Sequence, residues 1–147
     1  MRKIVVFLFL IGVAMGCAQP KKSDDYKVVR DEVMQFHGKV MEDQSIIVRN
    51  QMKMDTLLKD LEGLKEKFPV IDTAKEAITL KALIGSLARA DEDMNDWMHQ
   101  FEPDVSGKSN DEAVNYFHQE KKKIASIDSL YKKEIERSGN YLKNFNK

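Results

Sequence analysis

The chain is poor in cysteine, proline and glycine, and neither sign of charge is in excess. A single cysteine among 147 residues excludes an intramolecular disulfide framework and a multi-cysteine zinc site. Three prolines and seven glycines are few for a loop-rich β protein, so the composition favours long helices. Basic and acidic residues number 24 each, whereas a nucleic-acid-binding protein usually carries a basic excess. We therefore expect no nucleic-acid partner.

The N-terminal segment has the pattern of a secretory signal. Met1-Arg2-Lys3 is cationic, and residues 4–14 form an apolar run. A charged start, an apolar stretch and a small residue before the cleavage point are typical of a signal peptide, which we place at residues 1–16. The apolar stretch 4–18 would reach about 22 Å as a helix, whereas the hydrocarbon core of a bilayer is about 30 Å thick. The pattern therefore predicts a signal peptide and not a membrane span.

The motif Ala14-Met15-Gly16-Cys17 resembles the lipobox of bacterial lipoproteins, although that family prefers leucine where this chain has Ala14. The resemblance implies that Cys17 is acylated and becomes the new N-terminus. Residues 17–25 are then a solvated tether. Ala18 replaces the aspartate that retains lipoproteins in the inner membrane, which implies an outer-membrane protein facing the periplasm. The alternative is an ordinary signal peptide followed by an incidental cysteine.

An apolar register begins at Tyr26 and predicts a long first helix over residues 26–67. Every seventh residue is apolar: Tyr26, Val33, Val40, Ile47, Met54, Leu61 and Phe68. The companion positions three residues later are Val29, Phe36, Asp43, Asn50, Leu57 and Leu64. Pro69 disfavours helical geometry in the residue before it, so we expect the helix to end near Phe68.

Two capping-box patterns, Thr73 to Glu76 and Ser109 to Glu112, predict further helices over about 74–101 and 110–145. The apolar face of the second helix is Ala77, Leu80, Ile84, Leu87, Met94, Met98 and Phe101, interrupted by Asp91. The apolar face of the third helix is Phe117, Ile124, Ile127, Tyr131, Ile135, Leu142 and Phe145.

These elements predict an all-α domain over residues 26–147. No helix can bury its apolar face alone, and short connections favour antiparallel neighbours. We expect an antiparallel up-down-up three-helix bundle, coiled-coil-like, with an overlong first helix. Asp43, Asn50 and Asp91 interrupt the apolar faces as register-setting polar residues do. An extended oligomeric coiled coil therefore remains an alternative.

The sequence has no motif of a metalloprotease, a phosphate-binding loop or a catalytic triad, so we expect no enzymatic activity and no cofactor. The lysine runs of the third helix are interleaved with acidic residues, namely Glu120, Asp128, Glu134 and Glu136. This interleaving predicts a solvated, salt-bridged helix face.

Two segments, Phe36 to Met41 and Asp93 to Phe101, resemble small helical lipoproteins of Bacteroidota labelled viral A-type inclusion protein. That resemblance supports a lipoprotein and implies no reaction. We expect a non-enzymatic module of the cell envelope. Its anchor is the membrane through Cys17, and its helix faces are available to a protein partner or to self-association.

Methionine and histidine residues suggest an alternative function. Thioether and imidazole groups suit Cu(I), and the periplasm handles copper. Met34, His37 and Met41 share one helix face, and folding at the two turns would bring other candidates to the same end. The candidate ligands are Met34, His37, Met41, Met94, Met98 and His118. Methionine also fills cores, so ordinary packing is the competing interpretation.

Overall fold

The structure, a computed structural model, describes residues 25–145, and this part of the chain is all-helical. Helices make up 85% of it and it contains no β-strand. The helices are α1 (Tyr26–Lys59), α2 (Leu61–Lys67), α3 (Thr73–Gln100) and α4 (Asn110–Lys143). The prediction of an all-α protein is confirmed. The predicted signal peptide, Cys17 and all of the tether except Asp25 lie outside the described residues.

The helix predicted over 26–67 is two helices separated at Asp60. The backbone of Asp60 leaves the helical region, with φ −126° and ψ 60°. Its carboxylate accepts a hydrogen bond from the Gly63 N–H at 3.0 Å, and Asp60 thereby caps α2. An aspartate side chain can bond to a nearby backbone N–H in this way, and such a bond competes with a continuous helix. A side chain at Gly63 would collide with that carboxylate. As predicted, α2 ends just before Phe68.

The N-terminal cap of α4 is confirmed and that of α3 is wrong by one residue. Ser109 accepts from the Glu112 N–H, and the Glu112 carboxylate accepts from the Ser109 N–H, which completes the capping box. In α3 the cap is Asp72, whose carboxylate accepts from the N–H groups of Ala74 and Lys75. Because Asp72 already occupies these donors, Thr73 is the first helical residue.

The three long helices α1, α3 and α4 each contact the other two, and α2 contacts α1 and α3. Polar contacts between α1 and α4 follow the same chain order in both helices, from Glu32–Lys121 to Asn50–Ser138. Contacts between α3 and α4 run in opposite order, from Trp97–Glu120 to Glu76–Tyr141. None of the helices within residues 25–145 has both the length and the apolar character to cross a membrane.

The predicted apolar faces form the core. The α1 register supplies four fully buried side chains, Val33, Val40, Ile47 and Met54. Three buried residues of α3 lie outside the predicted face: Leu83, Ala90 and Trp97. Each of them comes one residue before a predicted face residue (Ile84, Asp91 or Met98). The buried face of α3 is therefore wider than the predicted face.

The face of α4 that carries acidic residues differs from the prediction. Glu120, Asp128 and Glu134 are 4%, 5% and 4% exposed, whereas Glu136 is exposed. The prediction of a wholly solvated face is therefore wrong for three of the four acids. They share the core-facing side of α4, and a basic residue three or four positions later neutralises each one from the surface.

Candidate functional site

The most unusual feature of the interior is a line of buried polar residues along α4. Its members are Glu120, Asp128, Glu134 and Ser138. Lys123 and Lys132 donate to Glu120 and Asp128 at 2.7 and 2.6 Å, and Arg137 lies 3.5 Å from Glu134. These basic side chains run along the helix and keep their heads exposed. A buried carboxylate is tolerated only with such partners.

Glu120 has both carboxylate oxygens occupied. The Trp97 indole N–H donates to Oε2 at 2.9 Å, and Lys123 donates to Oε1 at 2.7 Å. A general base needs an oxygen within hydrogen-bond distance of a substrate proton, and both oxygens of Glu120 are already bonded within the protein. The arrangement joins α3 to α4 and explains why the only tryptophan of the chain is buried at this point.

Asp91 and Asn50, two of the three polar interruptions of the predicted apolar faces, bond across helices. The Asp91 Oδ1 atom accepts from Gln44 at 2.8 Å and from the Tyr131 hydroxyl at 3.2 Å. Asn50 donates to Ser138 at 2.8 Å. Burial, followed by the negative charge of Asp91, raises the pKa of Tyr131 above its ordinary value. These contacts link α1, α3 and α4 and fix their register.

Asp128 is less well satisfied than Glu120. Its Oδ2 atom accepts from Lys132, but its Oδ1 atom is buried and has no hydrogen-bond partner among residues 25–145. An unsatisfied buried acceptor lowers stability by about 1–3 kcal/mol. The α4 line therefore contains one well-bonded acid and one that is only half-bonded.

Aromatic rings cover the end of the structure where α3 finishes and α4 begins. Trp97 stacks on Phe101 with ring centroids 4.7 Å apart, and His37 of α1 lies 5.9 Å from Trp97. Tyr116 accepts a hydrogen bond from the Glu102 N–H at 2.7 Å, and burial raises its pKa. This cluster was not predicted as a unit, although Trp97 lies three residues after the predicted core residue Met94. That spacing was the available signal.

The six predicted metal ligands are divided between the core and the surface. Met94 is fully buried, and Met98 packs against the core. Met34 and Met41 are exposed on α1. His37 and His118 are half-buried, and His37 lies against the Trp97 ring. In the described part of the chain, no three His, Cys, Asp or Glu side chains are grouped as metal ligands. Copper binding stays a prediction.

A depression beside the loop between α3 and α4 has a volume of about 280 Å³ and includes Tyr26 and Arg30 of α1. The carboxylate of Asp104 within that loop accepts from the Ser106 hydroxyl and N–H, and these two bonds lower its pKa. Hydrogen bonds between residues of the loop itself therefore hold it in shape.

Comparisons with known proteins identify no relative. No family model matches this chain, and neither a curated protein nor a solved structure matches it.

Proposed function

We propose that this protein is a lipid-anchored, non-enzymatic helical module of the bacterial cell envelope that acts through its helix surfaces. The observation that carries the non-enzymatic part is the pairing of buried polar groups with one another. Glu120 is occupied by Trp97 and Lys123, and Asp91 is occupied by Gln44 and Tyr131. Groups bonded in this way hold helices together, which is a structural role.

The anchor is Cys17, and the support for it is the lipobox-like motif that ends at this residue. Several acyl chains would hold the protein firmly, since each buried methylene contributes about 0.8 kcal/mol. The location that follows is the periplasmic face of the outer membrane. The helical part would then begin at Tyr26, close to the lipid surface.

Metabolic labelling with an alkynyl fatty acid tests the anchor. We expect the full chain expressed in a Gram-negative bacterium to take up the label and to sediment with membranes. The variant Cys17→Ser should lose both properties. Ala14→Leu, which brings the motif closer to the lipobox pattern, should keep them. Label that persists in Cys17→Ser would refute acylation at this residue.

We further propose that the long helices form an up-down-up bundle within one chain, in preference to an extended coiled coil between chains. The support is the order of the contacts: Asn50 meets Ser138, and Glu76 meets Tyr141. The double variant Asn50→Cys/Ser138→Cys in the Cys17→Ser chain should form a disulfide at monomer mass. The control pair Asn50→Cys/Ser129→Cys should not, because Ser129 lies about 13 Å nearer the N-terminus of α4 than Ser138. A disulfide found only between chains would favour the coiled coil.

Copper binding is a second candidate, favoured by one observation. Met34 and Met41 are exposed on the same face of α1 as the half-buried His37, so a metal ion could reach all three. Titration of the Cys17→Ser chain with Cu(I) against a competing chelator tests it. We expect stoichiometric binding that His37→Ala weakens and Met98→Leu does not, because Met98 packs against the core. Binding unaffected by His37→Ala would contradict a site on α1.

A further inference from the structure

The outward face of α1 carries a second apolar line that no other part of residues 25–145 covers. Met34, Met41, Val48 and Met52 are 43%, 38%, 43% and 66% exposed. Two small residues, Gly38 and Ser45, lie between them. The six residues are spaced four, three, four, three and four positions apart along the helix. We name this set the outer seam: Met34, Gly38, Met41, Ser45, Val48 and Met52.

The spacing of the outer seam is that of a coiled-coil interface, in which apolar residues alternate at three and four. The seam is about 27 Å long. Asp31 and Asp55 occupy the next positions at its two ends and are exposed, so the apolar line stops there. A Cβ atom added at Gly38 would meet nothing within 4 Å. Glycine weakens a helix interior, and among the described residues no close contact requires it at this position. Gly85 and Gly139 are equally open but lie outside this seam.

We propose that the outer seam binds the outer seam of a second copy of this chain, with the two α1 helices parallel and in register. In such a pair, Gly38 and Ser45 face the same residues of the second copy. Their small size lets the two helices approach closely on either side of Met41. Each residue that flanks the seam on one side (Arg30, His37 and Gln44) lies beside the residue five positions later in the other helix.

The charges that flank the seam favour the parallel pair. Arg30 would face Gln35 of the second copy, His37 would face Glu42, and Gln44 would face Arg49. None of these pairs brings like charges together. Reversing one helix while keeping the seam aligned would place Glu42 beside Glu42 of the second copy at the symmetry axis. Like charges at such a position oppose association.

The membrane part of the proposal rests on the proposed acylation of Cys17. Both copies then enter α1 from the same side, through tethers that extend at most about 30 Å. A seam one helix wide and about 27 Å long buries less than the roughly 800 Å² per partner of a stable interface. We therefore expect weak association in dilute solution and strong association on a membrane, where anchoring raises the effective concentration.

Disulfide trapping tests the pairing and its direction. In the full chain in native membranes, Val48→Cys should form an interchain disulfide on mild oxidation several-fold more than Lys39→Cys, an exposed position of α1 outside the seam. In a parallel pair the two introduced thiols face each other, whereas in an antiparallel pair they are about 15 Å apart. Adding Met41→Glu to Val48→Cys should reduce the disulfide about tenfold or more, because it buries a charge in the seam.

The same variants in the Cys17→Ser chain separate this proposal from the anchor. There the Val48→Cys disulfide should fall in dilute solution and return as the protein concentration rises. If Cys17 is not acylated but this concentration-dependent disulfide forms, the anchor fails and the pairing stands. If Val48→Cys is no more reactive than Lys39→Cys in either chain, the pairing is wrong. A Val48→Cys thiol that forms no disulfide but is shielded from maleimide by vesicles would assign the seam to the lipid surface and overturn the pairing.

Discussion

Helices α3 and α4 face the same core but reach burial by different means. All six buried residues of α3 are apolar, and Leu80, Leu87, Ala90 and Met94 are fully buried. On α4 the buried set includes Glu120, Asp128, Glu134 and Ser138. Apolar character explains burial in α3, where only the Trp97 indole N–H also uses a partner, Glu120. In α4 burial depends on a second residue that supplies a hydrogen bond or a charge.

The difference follows from where basic residues occur along the two helices. Each buried acid of α4 has Lys123, Lys132 or Arg137 within one turn. On α3, Asp91 is only partly buried and takes its partners from α1 and α4 instead. The position of a residue in the helical repeat thus determines whether its side chain faces the core. An acid at a core-facing position of α4 is tolerated because a basic residue within one turn pairs with it.

The apolar core of α3 should be the most sensitive to truncation. Leu87 is fully buried, so Leu87→Ala removes apolar contacts and leaves a cavity. We expect a loss of about 3 kcal/mol in the free energy of unfolding, measured by urea denaturation of the Cys17→Ser chain. The exposed Ala88→Gly in the same helix should lose only about 1 kcal/mol. An equal loss for both variants would show that Leu87 is not in a packed core.

The buried acids of α4 should respond unequally to the same substitution. Glu120→Leu leaves the buried Trp97 indole N–H without its acceptor, so we expect it to destabilise by about 1–3 kcal/mol. Asp128→Leu removes a carboxylate that has one unsatisfied oxygen and frees an exposed Lys132. It should change stability by about 0.5 kcal/mol or less, or increase it.

Urea denaturation of the two leucine variants side by side makes this comparison. Tryptophan fluorescence of Glu120→Leu should also change, because the indole loses its hydrogen bond. Similar losses for both substitutions would indicate that burial of α4 acids depends on charge alone and not on the individual partners.

The sequence was sufficient for the helices and for most of the apolar core. The register beginning at Tyr26 correctly placed Val33, Val40, Ile47 and Met54 inside. It did not place the break at Asp60, because a single aspartate can either continue a helix or cap a new one. The hydrogen bond from the Gly63 N–H to the Asp60 carboxylate decides between them, and that bond exists only once the chain turns.

The polar interior was less predictable, for a physical reason. Glu120 and Asp128 lie among lysines, and this pattern is the same for a solvated face and for a buried acid with a basic residue reaching in from the surface. The partner on another helix, Trp97 for Glu120, separates the two. Such long-range pairs are invisible to helical periodicity. The outer seam was unpredictable for a similar reason. Its three–four spacing can be read from the sequence, but its exposure is known only once the face of α1 that packs against the core is known.

The contacts between α4 tyrosines and α3 acids should make the structure sensitive to alkali. Burial and the carboxylate of Asp91 hold the pKa of Tyr131 above its ordinary value of 10.0. Burial, followed by the hydrogen bond to Glu76, also raises the pKa of Tyr141. The unfolded chain therefore loses these protons first as the pH rises above about 10, and stability, complete below that pH, falls. Circular dichroism at increasing pH should show unfolding. Tyr131→Phe should flatten the pH dependence relative to the unsubstituted chain.

The smallest expected effect is at the N-terminus of α4, where the cap depends on an exposed acid. Hydrogen bonds from the Ser109 hydroxyl and N–H lower the pKa of Glu112 below its ordinary value of 4.5. The folded cap therefore favours the ionised form, so its contribution is present above about pH 4.5 and is lost as the pH falls through the lowered pKa. Ser109→Ala should reduce this acid dependence and slightly lower helicity at neutral pH. Asp111→Asn, in the same turn but outside the capping box, provides the matched comparison. If Ser109→Ala and Asp111→Asn titrate identically, the capping box does not link α4 to pH.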